Sequence, residues 1–279
     1  MKVGFIGLGL LGQPMARRLA RCGHEVTGCD ASSEARAAFD EPGTRVTAEP
    51  RAAAGGAEVV GLCVRTDAQA AALLADGTLV AAMAPAGIVA IHATIAPDLA
   101  RSLADTVRAA GRELIDVGVS PGGPAALEGR MALFVGGADG AVGRAAPYLA
   151  ALGTTHHLGP VGRGLEAKLL NNFASVASYG VAASVLDYGI ALGFDMEALR
   201  AALLGASARS FALEVVPGLA GLRPDTGVAH LEAMHDLFTK DVGHARALPA
   251  EAPAARRTLA AASEALLARI RRAIAERRG

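Results

Sequence analysis

Three glycines at fixed spacing, directly after a short apolar run, constrain the fold of this chain most strongly. The run covers residues 2–6, and Gly7, Gly9 and Gly12 follow it as a helical pattern begins. In such a turn the first glycine permits the tight bend, the second lets the backbone approach a pyrophosphate, and the third permits close packing of helix on strand. The spacing predicts a dinucleotide-binding turn. A glycine-rich turn without a ligand is the alternative. The expected binding residues are Gly7, Gly9, Leu10, Leu11 and Gly12.

Apolar runs and helical patterns alternate along the first 160 residues. The apolar runs are short and bounded by turn residues, as is typical of buried strands. This alternation predicts an α/β fold, with a mostly parallel sheet and helices on both faces. Further strands are expected at residues 25–29, 58–64, 87–91, 113–119, 131–135 and 155–158, and helices at 10–21, 33–39, 67–74, 97–110 and 139–151.

The pattern changes after Gly159-Pro160. From residue 164 to about residue 192 the apolar positions recur at helical spacing, and no strand-like run follows. We therefore expect a dinucleotide-binding Rossmann domain over residues 1–160 and an all-α domain over residues 161–279, opened by the long interdomain helix. Later helices are expected at residues 195–204, 207–220, 228–245 and 251–277, with loops at 221–225 and 249–253.

Asp30 ends the second predicted strand. A carboxylate there accepts hydrogen bonds from both hydroxyls of the adenosine ribose and repels a 2′-phosphate, which favours NAD over NADP. Arg36 is near enough to serve a phosphate instead, and capping of the next helix by Asp30 is the alternative role. Arg65 and His92 follow other predicted strands and are expected to line the same cleft.

The charge balance argues against two classes of partner. Lysine plus arginine and aspartate plus glutamate both number 27, so no basic surface for nucleic acid or an anionic membrane is indicated. Glycines and charges interrupt the apolar runs, so no membrane span is expected. Cys22, Cys29 and Cys63 lie in apolar contexts without metal-site spacing. This favours reduced thiols in a cytoplasmic protein, and no bound metal is expected.

Lysine is scarce although basic residues are not. Only Lys2, Lys168 and Lys240 are lysine, and the only asparagines are Asn171 and Asn172. Lysine differs from arginine in having a pKa that its surroundings can bring toward neutrality. A lysine retained where arginine is otherwise used therefore becomes a candidate for proton transfer.

Lys168 and Asn172 stand four residues apart on the predicted long helix and so project from one face. A neutral Lys168 amine can take the proton of an alcohol while hydride leaves the carbon, and its ammonium can return the proton in the reverse direction. Asn172 can hold the substrate oxygen. A solvated lysine–asparagine pair is the alternative, which the apolar neighbours of the pair disfavour.

A glycine-rich loop follows the strand predicted at residues 113–119. It contains Ser120, Gly122 and Gly123, and open α/β sheets bind ligands beyond the carboxyl ends of their strands. Ser120 is expected to hydrogen-bond a substrate carboxylate, and Lys240 to close over an anionic substrate. An ordinary turn is the alternative for the loop. Structural or solvated roles are expected for the histidines after residue 150.

Four segments, in this order, resemble the β-hydroxyacid dehydrogenases, the family that contains 3-hydroxyisobutyrate dehydrogenase, tartronate semialdehyde reductase and glyoxylate/succinic semialdehyde reductases. The segments read FIGLGLLGQPMARRL, DVGVSPGGPAALEGRMALFVGG, GPVGRGLEAKLLNN and LFTKDVGHA. The resemblance covers nearly the whole chain. It implies hydride transfer between NAD(H) and a small 3-hydroxy acid or the corresponding semialdehyde or keto acid, by a homodimer or homotetramer.

The resemblance also implies a role for each site residue. Lys168 is the catalytic acid/base and Asn172 is its partner. Val64 and Thr94 touch the nicotinamide end of the cofactor, with Arg65 and Lys240 expected beside it. The substrate site is shaped by Ser120, Gly122, Gly123 and Lys240.

Three positions depart from the family's usual D-A-P-V-S-G-G-x-x-G segment. Gly118 replaces the proline, Pro121 replaces the first glycine after the serine, and Ala125 replaces a later glycine. Pro121 has no N–H to donate to a carboxylate, so the identity of the substrate stays open. An imine reductase or reductive aminase is one rival function, although those enzymes typically lack the lysine at position 168. A non-catalytic NAD(H)-binding sensor is the other.

Overall fold

The computed structural model describes residues 1–249 and 252–278. It divides into two compact units, Met1–Lys168 and Leu169–Gly279. The division falls inside the long helix, whereas the predicted domain boundary, near residue 160, lies before it. The start of the helix expected at 251–277 and part of the loop expected at 249–253 lie outside the described residues.

An eight-stranded sheet forms the centre of the first unit. The strands follow the order β3-β2-β1-β4-β5-β6-β7-β8, and every neighbouring pair is parallel except β6 and β7. The predicted α/β class is therefore confirmed. The strands are β1 (Lys2–Ile6), β2 (Glu25–Cys29), β3 (Arg45–Thr47), β4 (Val59–Leu62), β5 (Ile88–Ile91), β6 (Glu113–Ser120), β7 (Met131–Gly136) and β8 (Gly153–His157).

Helices pack on the sheet of the first unit. The helix predicted over residues 139–151 is two helices, because Pro147 lacks an N–H and fits only the first turn of a new helix. The short helices α3, α5 and α7 were not predicted. The helices are α1 (Gly12–Arg21), α2 (Ser33–Ala38), α3 (Pro50–Ala54), α4 (Asp67–Leu74), α5 (Thr78–Ala81), α6 (Pro97–Ala109), α7 (Pro124–Glu128), α8 (Asp139–Arg144) and α9 (Ala146–Leu152).

Successive strand residues point to two apolar layers. Val3 and Phe5 of β1 join one buried cluster with Met15 of α1. Ile6 joins a second cluster with Leu103 of α6. Because side chains alternate along a strand, the sheet is buried on both faces, as parallel sheets require. Its polar chemistry is therefore concentrated at the loops beyond the strand ends.

The described residues of the second unit form helices and the loops between them, with no strand. It contains the greater part of α10 (Arg163–Ala191) and then α11 (Met196–Leu204), α12 (Phe211–Leu219), α13 (Val228–Arg246) and α14 (Pro253–Arg278). Leu213, Leu231 and Leu266 contribute to its core from three of these helices. A Cβ on Gly180 would lie 1.8 Å from the carbonyl oxygen of Ala262, so glycine is required where α10 and α14 touch.

One described helix, α10, is long and apolar enough to cross a bilayer by length and composition. Its most apolar 18-residue window has a mean hydropathy of 1.3, and 44% of that window is buried inside the protein. Core helices of soluble proteins meet the same criteria, so this helix is weak evidence for a span. The prediction from the sequence is that no span occurs here, because the apolar stretches contain glycines and charges.

His92 turns into the core of the first unit and not toward the cofactor cleft. Its side chain is almost fully buried, and a hydrogen bond of 2.7 Å joins its Nε2 to the Tyr148 hydroxyl. The ring also stacks on Phe5 at a centroid distance of 6.1 Å. Burial lowers the pKa of His92 from 6.5 to about 3, opposed in part by an interaction in which the imidazole donates to the Val117 backbone carbonyl. The imidazole therefore stays neutral in the folded protein near pH 7.

The stability of the protein should fall as the pH decreases from about 7 to 4. Over this window the unfolded chain binds a proton at His92 and the folded chain does not, so acid favours unfolding by up to about 1.4 kcal/mol per pH unit from this residue. Urea denaturation across a pH series measures the slope. His92→Gln is expected to flatten it, and His156→Gln, at an exposed histidine, is expected to leave it unchanged. Equal slopes for His92→Gln and the wild type would contradict the assignment.

Candidate active site

The glycine turn after β1 has the backbone geometry that its spacing predicts. Gly7 has a φ of +99°, and a Cβ on it would lie 2.3 Å from the carbonyl oxygen of Cys63. A Cβ on Gly12 would lie 1.9 Å from the Gly7 carbonyl oxygen, whereas one on Gly9 would have nothing within 4 Å. The first and third glycines are thus required by packing. The second leaves open space over the turn, where a phosphate group fits.

The start of α1 adds to this open space. No side chain caps α1, and the Leu10 side chain beside it is 98% exposed. An uncapped helix N-terminus offers backbone N–H groups and a favourable dipole to a phosphate. The turn therefore fits the pyrophosphate of a dinucleotide.

Asp30 links this turn to the loop after β2. Its Oδ2 accepts a hydrogen bond from the Leu8 backbone N–H, and its Oδ1 accepts one from the Ser32 N–H, both at 2.8 Å. Each carboxylate oxygen has a second lone pair that a ribose hydroxyl can use. The cap of α2 is Ser32, whose side chain accepts from Ala35, so Asp30 is not needed as the helix cap.

Arg36 is bound to the backbone of the same loop. Its Nη1 donates to the carbonyl oxygens of Asp30 and Ala31, at 2.7 and 2.9 Å. These bonds fix one nitrogen of the guanidinium beneath the loop. The carboxylate of Asp30 therefore remains the group best placed to select between ribose forms.

Val64, Arg65 and Thr94 follow the carboxyl ends of β4 and β5. These strands lie beside β1, on the side of it opposite β2, where the strand order reverses. Ligands of open α/β sheets bind at this reversal. Val64 and Thr94 are half-buried and Arg65 is exposed. The Arg65 backbone N–H donates to the Gln69 side chain, so the start of α4 fixes the loop that carries it.

One face of β6 meets the start of α10. Asp116, Gly118 and Ser120 alternate along the strand and so point to the same face. Asp116 accepts hydrogen bonds from the backbone of α10 and the turn before it, and a Cβ on Gly118 would lie 2.5 Å from the Cβ of Lys168. Lys168 and Ser120 therefore belong to the same face of the sheet, near the carboxyl end of β6.

The loop after Ser120 approaches the glycine turn. A Cβ on Gly122 would lie 3.5 Å from Cδ1 of Leu11, the N-cap residue of α1. Gly123 has a φ of +57°, which favours glycine. The structure thus places the predicted substrate loop beside the predicted phosphate-binding turn.

The second unit holds the other predicted site residues. Asn172 lies one turn after Lys168 on α10, and its Nδ2 donates to Oδ2 of Asp241 at 2.7 Å. The Asn171 amide donates to Oδ1 of Asn172 at 3.1 Å. Lys240 Nζ lies 3.5 Å from Oδ1 of Asp241, a carboxylate that is buried.

Asp241 was not predicted as a site residue. Because a carboxylate only accepts hydrogen bonds, it fixes which end of the Asn172 amide faces it. The only sequence signal was its place beside Lys240 in the segment LFTKDVGHA.

The described residues contain no cluster of three or more metal-ligating side chains. The three cysteines are free, and burial raises the pKa of Cys29 to about 11 and that of Cys63 to about 12. These two thiols remain protonated at neutral pH and are poor nucleophiles.

Comparison with known proteins agrees with this geometry. Residues 2–163 match the family model described as the NAD binding domain of 6-phosphogluconate dehydrogenase. An NAD-dependent L-serine dehydrogenase of Pseudomonas aeruginosa is 32% identical over 251 residues, covering 88% of this chain and 84% of the relative. A 3-hydroxyisobutyrate dehydrogenase of the same organism is 31% identical over 260 residues, covering 90% and 87%.

Solved structures of known proteins are also similar to this chain. A Mycobacterium tuberculosis 3-hydroxyisobutyrate dehydrogenase with L-serine superposes with a TM-score of 0.78 at 26% identity, covering 94% of this chain and 91% of the other. A Streptomyces aurantiacus imine reductase has a TM-score of 0.62 at 22% identity, covering 98% and 99%. At that identity the second likeness is one of fold alone.

Asp30→Ala is expected to raise the Kd for NADH by about 10–100-fold, because hydrogen bonds to a charged acceptor contribute about 1.5–3 kcal/mol each. The Kd for NADPH should rise much less, since the variant also loses the repulsion of a 2′-phosphate. Fluorescence titration with both cofactors measures the two values. Asp40→Ala, at an exposed carboxylate, is the matched control. Tighter binding of NADPH than of NADH by the wild type would contradict the assigned role.

Proposed function

Because the chain belongs to the β-hydroxyacid dehydrogenases, an NAD-dependent family, we propose that it transfers hydride between NAD(H) and a small 3-hydroxy acid or the corresponding semialdehyde or keto acid. The observation that carries this proposal is the placement of Lys168 against β6. There the lysine lies on the same face of the sheet as Ser120, near the carboxyl end of β6. The glycine turn lies at the same end of the parallel strands.

Lys168 supplies the proton chemistry of the proposed reaction. NAD⁺ accepts a hydride from carbon, and NADH returns it. As the hydroxyl of a substrate becomes a carbonyl, the neutral Nζ of Lys168 takes its proton, and in reduction the ammonium gives the proton back. A positioned acid/base of this kind contributes about 10²–10⁴-fold to the rate.

Asn172 holds the substrate oxygen in this proposal. Its amide keeps one N–H and one lone pair beyond the bonds to Asp241 and Asn171. The bond to Asp241 turns the NH₂ end toward the carboxylate. Asp241 is thus a positioning residue for Asn172 in the proposed mechanism.

The acid group of the substrate is held by the loop after β6 and by a lysine. Ser120 supplies a hydroxyl, and Gly122 and Gly123 supply backbone N–H groups, whereas Pro121 has none to give. Lys240 supplies the positive charge. An anionic substrate is favoured by this set of donors.

We also propose a cytoplasmic homo-oligomer. Within the second unit Val181, Tyr188 and Phe211 are 56%, 69% and 62% exposed, an unusual amount of large apolar surface for a helical unit. A groove of about 480 Å³ between α10, α12 and α14 continues this surface. A second copy of the chain, of the kind implied by the family, would cover it.

A substrate panel tests the proposed activity. It contains 3-hydroxy acids with NAD⁺, semialdehydes and keto acids with NADH, and cyclic imines with NADH and NADPH, followed at the nicotinamide absorbance band. Turnover of a hydroxy acid or semialdehyde supports the proposal. Turnover of imines alone would indicate the reductase function, and cofactor binding without any turnover would indicate a sensor.

Lys168→Ala is expected to lower kcat by about 10²–10⁴-fold, or about 3–5 kcal/mol of barrier, with little change in the Kd for NADH. Lys168→Arg should lower kcat by nearly as much, because a guanidinium does not release its proton at neutral pH. Stopped-flow and steady-state kinetics measure both. Lys2→Arg is the control for a lysine-to-arginine change. Near-normal turnover by Lys168→Arg would show that the lysine acts only as a charge.

Tyr188→Glu is expected to dissociate the proposed oligomer, since it places a charge within an apolar interface. Light scattering coupled to size-exclusion chromatography measures the mass. Leu158→Glu, at an exposed leucine of the first unit, is the control. A monomeric wild type would contradict the assembly.

A further inference from the structure

Gly118 and Asp116 stand on the strand face that receives Lys168, and neither was part of the predicted site. Glycine at position 118 is one of the departures from the family's usual segment. In this chain it lies directly under the lysine stem. A Cβ on Gly118 would lie 2.5 Å from Cβ and 3.0 Å from Cγ of Lys168. The lysine therefore occupies space that any other residue at position 118 would fill.

Asp116, two residues earlier on β6, fixes the start of the same helix. It is fully buried, and its Oδ1 and Oδ2 accept hydrogen bonds from the backbone N–H groups of Gly162 and Leu165, both at 2.7 Å. The carboxylate thus binds the turn that leads into α10 and the first turn of the helix itself. A shift of the helix along or away from the strand would break both bonds.

Two further glycines allow α10 to pack closely on the sheet. A Cβ on Gly164 would lie 2.3 Å from the Phe134 carbonyl oxygen and 2.8 Å from that of Asp116. A Cβ on Gly136 would lie 2.4 Å from Oδ1 of Asp116. Backbone therefore packs directly on backbone where α10 crosses β6 and β7. The helix has no freedom to move closer, and Asp116 opposes its moving away.

We propose that Asp116 and Gly118 are positioning residues that set the height of Lys168 above β6, and so the distance from its Nζ to the reacting hydroxyl. This inference rests on the proposed role of Lys168 as the acid/base. Asp116 sets where the helix starts, and Gly118 sets how close the lysine stem lies to the strand. Ser120, next on the same face, then stands at a fixed offset from the amine.

Gly118→Ala provides the direct test. An ordinary carbon–carbon contact is about 3.5–4 Å, so the new Cβ would displace the lysine stem by about 1 Å. A misplacement of that size costs about 10²-fold in rate, so we expect kcat to fall by about 10–100-fold with KM for the substrate nearly unchanged. Gly143→Ala is the matched control, because a Cβ on this glycine of α8 would have nothing within 4 Å.

A second measurement does not depend on activity. The chain has only three lysines, so an amine-acetylating reagent with mass spectrometry reports the labelling rate of each. Gly118→Ala should speed the labelling of Lys168, whose stem is lifted from β6, while Lys2 and Lys240 keep their wild-type rates. Unchanged labelling of Lys168 together with a kcat within about twofold of wild type would overturn the inference.

Two further variants separate positioning from folding. In a Lys168→Ala background, Gly118→Ala should cause no further loss of kcat, whereas a general structural defect would add to it. Asp116→Asn keeps the shape but turns an NH₂ toward a backbone N–H, and should reproduce the kcat loss and faster labelling. It carries the test if Gly118→Ala does not fold. If Lys168→Ala itself retained full activity, the proposed acid/base role of Lys168 would fail, and absence of any turnover by the wild type in the substrate panel would contradict the proposed function. If only the variants of Gly118 and Asp116 were without effect, the positioning would fail.

Discussion

The proposed chemistry depends on β6 and on the start of α10, and a carboxylate buried in the sheet connects these two elements. Asp116 receives N–H groups from Gly162 and Leu165, so the helix that bears Lys168 starts at a fixed point on β6. Loss of these partners would leave buried polar groups unsatisfied, at a cost of about 1–3 kcal/mol each, and more for a charge. Burial raises the pKa of Asp116, and the two N–H bonds oppose that shift. The same interaction that stabilises the ionised carboxylate therefore holds the helix in place.

The sequence predicts the elements whose patterns are long enough to repeat. The strand alternation and the long helix each span several periods, and the glycine turn has a fixed spacing. The structure contains all three. It also contains β3 and the short helices α3, α5 and α7, which have three to five residues and too few positions for a period to be recognised. The break between α8 and α9 depends on a single residue, Pro147, within an otherwise helical pattern.

Some residues of the candidate site can be predicted from a local motif, whereas others depend on contacts between residues that are distant along the chain. Gly9, Asp30 and Lys168 are recognisable because each lies in a short motif next to a strand end or on a helix face. Asp116 and Asp241 act through partners 46 and 69 residues away along the chain. A contact of that kind depends on strand order and helix packing, which one sequence does not specify. The sequence shows Gly118 as a departure from the family segment. The effect of that departure becomes visible only when the position of the Lys168 stem is known.

Two of the three departures in the substrate segment act on different parts of the proposed reaction. Gly118 lies under the stem of Lys168 and so bears on proton transfer. Pro121 removes a backbone N–H from the loop and so bears on recognition of the acid group. With one backbone donor fewer, the proposed recognition of a carboxylate by this loop depends more on a side chain, that of Ser120. Side chains with rotatable bonds accept more positions of an anion than a fixed row of N–H groups does. The proposed reaction therefore keeps the hydride chemistry of the family and admits acids whose carboxylate lies at a different distance from the reacting carbon.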